Sequence, residues 1–256
     1  MRHRWQLCFT KHCDKLGFSR KLLPGNIECQ EETKRIDKVV KDMSALFPDE
    51  TRLYPVTDVR LSRLSHAKQV AKLSEGGAAV IQLREKYLSP REFYMEAEAA
   101  MRVARQCGVR IIINDRVDMG LALNADGVHL GQHDFPPEAA RRLLGDNAII
   151  GVSTHNVEQA LSAARLPVDY IAIGPIFATS SKENPDAQVG LEGLSQVRQA
   201  VGKVKLVAIG GIDEQNAVQV IRAGADVVAV ISGVLASPNQ VSTRTRRLLT
   251  LLQSVN

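Results

Sequence analysis

The sequence predicts an α/β fold, a (β/α)8 TIM barrel with an N-terminal helical extension, and three observations carry that expectation. From Arg52 onward one unit repeats eight times: a short run rich in β-branched residues, polar residues at its C-terminal end, then a helical pattern. Strands alternating with helices require a parallel sheet covered by helices, and eight such units in about 200 residues are the size and count of a closed barrel. The rival, a doubly wound open sheet, lacks its signatures: no G-x-G-x-x-G follows the first strand, and no G-x-x-x-x-G-K-[ST] occurs in the 256 residues.

Residues 1–50 differ from the rest and are read as a separate extension, with the catalytic barrel over 51–256. In the extension Ile36, Val39, Val40, Met43, Leu46 and Phe47 follow helical spacing, which predicts an amphipathic helix over Glu31–Phe47, ended by Pro48. Such a stripe either packs on the main domain or recruits a partner.

The strand runs of the barrel are Leu53–Thr57, Ala79–Arg84, Arg110–Asn114, Gly127–Leu130, Ile149–Ser153, Tyr170–Gly174, Val204–Ile209 and Val227–Ile231. Helical patterns follow over Ser89–Cys107, Pro136–Leu144, Val157–Ala164, Gln215–Ala223 and Gln240–Leu252, with a shorter one over Val117–Leu123.

Composition narrows the function. Apolar residues make up 45% and charged residues 24%, as in soluble globular proteins and unlike disordered chains. The formal net charge is +5, but Lys and Arg are scattered, which favours a small acidic metabolite over nucleic acid. Cys8, Cys13, Cys29 and Cys107 form no C-x-x-C pair or zinc pattern, so free thiols in the cytoplasm are expected. No apolar run approaches the roughly 18 residues of a membrane span. Residues 1–30 lack a secretory apolar core, although the basic, acid-free stretch Met1–Cys13 keeps a transit peptide open. A homo-oligomer also stays open.

In a barrel, function gathers at the C-terminal strand ends, and polar residues occur at every one of them. On the second strand side chains alternate, so Gln82, Arg84 and Lys86 share a face while Ile81 and Leu83 take the other. With the apolar pair turned to the helices, an amide, a guanidinium and an ammonium point to the mouth, a set suited to a phosphate. The alternative for Arg84 is a structural pair with a carboxylate such as Asp115.

The sixth strand stops at Gly174-Pro175, and the loop after it carries Thr179, Ser180, Ser181 and Lys182, a candidate phosphate cradle or simply a polar turn. Asp115 and Asp134 end consecutive units as hard oxygen ligands suited to Mg²⁺, or else they cap the helices that follow. Gly210-Gly211 and Ser232-Gly233 follow the last two strands, where barrels often hold a phosphate through backbone N–H groups. Tight turns alone would also call for those glycines. A second anion site implies two ligands, one a phosphate and one a diphosphate.

These residues resemble the thiamine phosphate synthase family. The resemblance runs in order through Tyr54-Pro55-Val56-Thr57-Asp58, Gln82-Leu83-Arg84-Glu85-Lys86, Ile113-Asn114-Asp115-Arg116, Gly127-Val128-His129-Leu130-Gly131-Gln132-x-Asp134 and Gly151-Val152-Ser153-Thr154-His155. It continues through Gly174-Pro175-Ile176-Phe177, Gly190-Leu191-Glu192-Gly193, Ala208-Ile209-Gly210-Gly211-Ile212 and Val230-Ile231-Ser232, leaving the extension unmatched.

The resemblance implies condensation of hydroxymethylpyrimidine diphosphate with thiazole phosphate, or its carboxylated form, to give thiamine phosphate and pyrophosphate, with Mg²⁺ as cofactor. It implies that Gln82, Arg84, Lys86, Asn114, Ser153 and Lys182 hold the pyrimidine diphosphate, with Arg84, Lys86, Ser153 and Lys182 acting in catalysis. Asp115 and Asp134 would bind the metal. Thr179, Ser181 and the backbone at Gly211, Ile231 and Ser232 would hold the thiazole phosphate, with Ser181 standing where the family often has Thr. Two other readings stand beside this one. A thiazole tautomerase would keep a His like His155 but lose Lys86, Asp115, Asp134 and Lys182, and a noncatalytic phosphate-binding barrel would bind without turnover.

Overall fold

A computed structural model describes residues 52–179 and 186–255. The extension with its expected Glu31–Phe47 helix lies outside the described residues, as do Ser180, Ser181 and Lys182.

The chain order is β1 (Leu53–Pro55), α1 (Val59–Ser62), α2 (His66–Glu75), β2 (Val80–Leu83), α3 (Pro90–Cys107), β3 (Arg110–Asn114), α4 (Val117–Leu123), β4 (Gly127–Leu130), α5 (Pro137–Leu144) and β5 (Ile149–Thr154). It continues with α6 (Val157–Ala163), β6 (Tyr170–Ile173), α7 (Gly190–Val201), β7 (Leu206–Ile209), α8 (Ala217–Arg222), β8 (Val227–Val230), α9 (Ser232–Leu235), a 3-10 turn at Pro238–Gln240 and α10 (Val241–Gln253).

The eight strands form one sheet in the order β1-β8-β7-β6-β5-β4-β3-β2, and each neighbouring pair is parallel. Its ends meet through a parallel bridge between Val56 and Gln82, where the Thr57 N–H donates to the Gln82 carbonyl at 2.8 Å. The expected barrel is therefore the observed one.

Strand alternation divides the core in two. Leu53, Ile81, Leu83, Ile111, Ile113 and Leu130 turn outward and pack with helical residues such as Phe93, Ala97 and Leu248. Tyr54, Val56, Val80, Ile112, Tyr170 and Val207 turn inward and fill the barrel. Both faces of every strand are buried, which is why the strands read as continuous apolar runs.

The helices obey local signals. On α3, Ser89 forms a capping box with Glu92, Pro90 opens the first turn, and Gly108 ends the helix at φ 68°. Its buried face is Phe93, Ala97, Ala100, Met101 and Ala104. The helices α1, α2, α7 and α9 were not anticipated. α2 buries His66 and Gln69 along with Val70 and Leu73, so half of its inner face is polar and its apolar periodicity is weak. The expected strand at Val204 begins instead at Leu206, after Val204 closes a turn on Val201, and Ile231 caps α9 instead of ending β8. Among the described residues no helix is long and apolar enough to cross a membrane.

Candidate active site

The C-terminal mouth of the barrel holds one pocket that gathers most of the residues expected from sequence. Gln82, Arg84, Asn114 and Ser153 enter it from the ends of β2, β3 and β5, while Thr179, Gly211, Ile231 and Ser232 enter from the loops after β6, β7 and β8.

Gln82 lies on the inward register of β2, as alternation required, and its amide donates to the Tyr54 hydroxyl at 3.1 Å. Arg84 sits just beyond that strand. Its backbone N–H donates to Thr57 Oγ1 at 3.1 Å, and its guanidinium lies 3.3 Å from the Asp58 carboxylate. Asp58, not Asp115, is therefore its acidic partner. The same Asp58 also caps α1 by accepting the Leu61 N–H at 2.9 Å.

Two buried side chains brace the loop that follows. Glu85 Oε1 accepts the N–H groups of Lys86, Tyr87 and Leu88 at 2.8, 2.7 and 3.3 Å, while Glu85 Oε2 lies 3.5 Å from His66 Nε2. His66 in turn meets Thr57 Oγ1 through Nδ1 at 2.9 Å. Thr57, expected among the polar strand ends, is wholly buried and serves this brace.

Lys86, Asp115 and Asp134 form a cluster of their own, outside the residues that line the pocket. Lys86 Nζ donates to Asp115 Oδ2. Asp115 has φ 62°, a left-handed conformation costly for a side chain other than glycine, and the surrounding backbone enforces it: its N–H reaches the His129 carbonyl at 2.7 Å and the Arg116 N–H reaches Asn114 at 2.8 Å. Asp134 folds back to accept the Gly131 N–H at 2.7 Å. Burial and the adjoining Asp115 carboxyl push the Asp134 carboxyl above its ordinary range, against the opposing pull of Gly131 N–H and Lys86.

Neither Asp is a helix cap. The N-cap of α4 is Arg116 and that of α5 is Pro136, both without a capping side chain. A carboxyl whose ionisation is made costly by burial and a neighbouring carboxyl is a fitting place for a divalent cation, which removes that cost. No cluster of three or more His, Cys, Asp or Glu gathers among the described residues. Two carboxylates suffice for Mg²⁺, which takes its other oxygens from water and phosphate.

Asn114 Nδ2 is buried and has no hydrogen-bond partner, although the residue lines the pocket. A buried donor in that condition is a place where a ligand acceptor belongs. Ser153 Oγ lies 2.8 Å from His129 Nε2. His155 is held by the Gly174 carbonyl at 2.6 Å and lies 3.4 Å from Asp186, tying the end of β5 to the segment after β6.

The glycines after β7 answer to packing. Gly210 and Gly211 have φ 107° and 63°, and a Cβ there would come within 2.6 Å of Pro175 Cα and 2.5 Å of the Ala178 carbonyl. That close approach requires glycine on its own, and it also brings the backbone of Gly211 into the pocket wall beside Ile231 and Ser232.

Tyr54, Tyr170, His129, His66 and Glu85 were given no role from the sequence, although Tyr54, Glu85 and His129 fall within the matched motifs. For Tyr170 and His129 the signal was available: the alternation that placed Gln82 also turns Tyr170 inward between outward Asp169 and Ile171, and puts His129 between Val128 and Leu130.

The fold and its polar mouth define the class as a (β/α)8-barrel enzyme. A family model described as thiamine monophosphate synthase matches residues 53–234, and the chain belongs to that family. It is 48% identical over 202 residues to a thiamine-phosphate synthase of Chloroflexus aurantiacus, covering 78% of this chain and 92% of that protein. A thiamine-phosphate synthase of Clostridium novyi is 43% identical over 185 residues, covering 72% of this chain and 90% of that one. The solved structure of thiamine phosphate pyrophosphorylase from Pyrococcus furiosus superposes with a TM-score of 0.72 at 36% identity, covering 81% of this chain and 98% of that one. The chain is thus a transferase of thiamine biosynthesis.

Proposed function

We propose that the mouth binds hydroxymethylpyrimidine diphosphate beside thiazole phosphate and joins them into thiamine phosphate, releasing pyrophosphate. The observation that supports this assignment of residues is the gathering of Gln82, Arg84, Ser153 and the unpartnered Asn114 amide in one pocket, with Asp115, which pairs with Lys86 and adjoins Asp134, next in sequence to Asn114.

In the reaction the C–O bond between the pyrimidine methylene and the diphosphate breaks, and its electron pair leaves with the diphosphate. The thiazole nitrogen then donates its lone pair to the methylene carbon. No proton moves at either reacting atom, so no general base is needed. The requirement is charge to stabilise the departing oxygens, and preorganised donors supply it most effectively. Arg84 and Lys86 meet those oxygens, with Lys182 as a third cation. Gln82, Asn114 and Ser153 orient the pyrimidine diphosphate through hydrogen bonds. Thr179, Ser181 and the backbone at Gly211, Ile231 and Ser232 receive the thiazole phosphate.

Asp115 and Asp134 would hold Mg²⁺, which when bound supplies positive charge to the diphosphate oxygens. The partners in this reading are small molecules, and the compartment is the cytoplasm. The test incubates purified protein with both substrates, with and without Mg²⁺, and follows thiamine phosphate and pyrophosphate. Equal amounts of the two products, made only with metal, are expected. Binding of thiazole phosphate without consumption of diphosphate would overturn the assignment.

A further inference from the structure

A chain of hydrogen bonds crosses the barrel interior, and four of its five members, Tyr54, Gln82, His129 and Ser153, line the pocket. Gln82 Nε2 donates to Tyr54 Oη at 3.1 Å, Tyr54 Oη lies 3.1 Å from Tyr170 Oη, Tyr170 Oη lies 2.8 Å from His129 Nδ1, and His129 Nε2 lies 2.8 Å from Ser153 Oγ. The chain joins five strands, β1, β2, β4, β5 and β6. Gln82, Tyr54, Tyr170 and His129 are each less than a tenth exposed, and the His129 ring stacks on Tyr170 at 22° with centroids 5.5 Å apart. Burial pushes both phenols upward, so each keeps its one proton.

We propose that His129 is a positioning residue, set by Tyr170 as the Nε2–H tautomer so that the Ser153 hydroxyl is obliged to donate its proton into the pocket. One end of the chain has its polarity from Gln82, whose amide N–H donates to Tyr54. Tyr54 then gives its proton to Tyr170, Tyr170 gives its own to His129 Nδ1, and His129 Nε2–H donates to Ser153 Oγ. Ser153 has its acceptor side occupied, and its proton is left for a ligand oxygen. The opposite polarity turns the Ser153 proton back onto His129 and sets the lone pairs of its oxygen against a phosphate oxygen, two acceptors with no proton between them. An acceptor-rich ligand at Ser153 therefore selects the first arrangement. The inference rests on the proposed reaction for the identity of that ligand. It adds three residues, His129, Tyr170 and Tyr54, whose part is to set the hydrogen-bond polarity at Ser153.

Two measurements test it. Nitrogen-15 NMR of the imidazoles, with the His129 signals assigned from the spectrum of His129→Asn, reads the tautomer without any turnover. A protonated Nε2 is expected, with a mixture of tautomers in Tyr170→Phe, and a protonated Nδ1 in the wild-type chain overturns the proposal.

The second measurement is a double-mutant cycle on turnover with Ser153→Ala. His129→Gln places an amide N–H near the position of Nε2 and should stay within a few-fold of wild type, while His129→Asn places it near Nδ1 and should lose on the order of 10-fold or more in kcat. In the Ser153→Ala background His129→Asn should cost almost nothing further. Full additivity would show that His129 acts only as core. If His129→Asn does not fold, Tyr170→Phe replaces it in the cycle with the same expected pattern. A wild-type chain that forms no thiamine phosphate would defeat the proposed reaction, while the tautomer measurement would still decide the inference.

Discussion

The Arg84 guanidinium lies 3.3 Å from the Asp58 carboxylate, so the cation after β2 is held by the acid after β1 at the seam where the barrel closes. The pair sits at the edge of the pocket, with side-chain exposures of 13% and 15%. Asp58 uses its other oxygen on the Leu61 N–H and is thus held independently of Arg84. An arginine anchored in this way points at the mouth with little freedom left to lose.

Arg84→Ala is expected to lower turnover by about 10²-fold or more, since it removes donors that strengthen as the leaving group gains charge. The lost ion pair should cost only about 1 kcal/mol, which lowers Tm by roughly 2–4 °C. Binding of thiazole phosphate should change little, because the loops near Gly211 and Ser232 receive it. Tm and single-turnover rate measured on one preparation decide the matter. A destabilised variant with full activity would show that Arg84 is structural.

Asp134 gives a prediction of opposite sign for stability. Its folded carboxyl is pushed above the ordinary carboxylate value by burial and by Asp115, so the stability it contributes is present below that ordinary value and is lost as pH rises through the folded one. In metal-free protein Asp134→Asn should therefore raise Tm at neutral pH, by about a few °C, and flatten its fall between acid and neutral pH. The same change should weaken activation by Mg²⁺. A variant less stable than wild type without metal, yet activated normally, would refute the assignment of this cluster.

The barrel and the face of β2 were legible because period-two alternation and strand-end polarity are local. Gln82 and Arg84 line the pocket as that argument expected, whereas Lys86 lies beyond the end of β2 and outside the pocket lining. What local pattern could not supply was partnership. Arg84 meets Asp58 rather than Asp115 because closure brings the ends of β1 and β2 together, while Lys86 reaches across to β3. The link between Ser153 and His129 spans 24 residues of sequence, and that between His129 and Tyr170 spans 41. Their residue types are visible one at a time, but their contacts exist only once the strands are in register. The helix α2 was missed for a related reason, its inner face carrying His66 and Gln69 where an apolar stripe was sought.

The family match begins at residue 53 and the first strand at Leu53, so the chemistry should not need the extension. Deletion of Met1–Phe47 is expected to leave kcat within a few-fold of the full chain, a margin that separates loss of a catalytic group from smaller effects. A folded, soluble truncation without activity would show that the extension completes the site.

His66 makes the loop of Arg84 and Lys86 sensitive to acid. Burial holds its imidazole below the ordinary value even though Glu85 pulls the other way. Thr57 Oγ1 accepts the Arg84 N–H and also meets His66 Nδ1 at 2.9 Å, so the imidazole is linked to the backbone of Arg84 through one hydroxyl. His66 Nε2 faces the Glu85 carboxylate at 3.5 Å, outside hydrogen-bonding geometry. Because the folded value is depressed, the unfolded chain binds the proton first. The stability is complete above the ordinary imidazole pKa of about 6.5 and is lost as pH falls from there through the folded value. Tm should therefore decline with acid below about pH 6.5, in a window above the one where carboxylates titrate. His66→Gln should flatten the decline in that window. It should also lower kcat by a few-fold, since the brace beneath Arg84 and Lys86 is weakened while the groups that meet the diphosphate remain. Thermal unfolding from pH 5 to 8 on both proteins, with turnover at neutral pH, tests the two effects together. An undiminished acid slope in His66→Gln would assign the sensitivity to other groups.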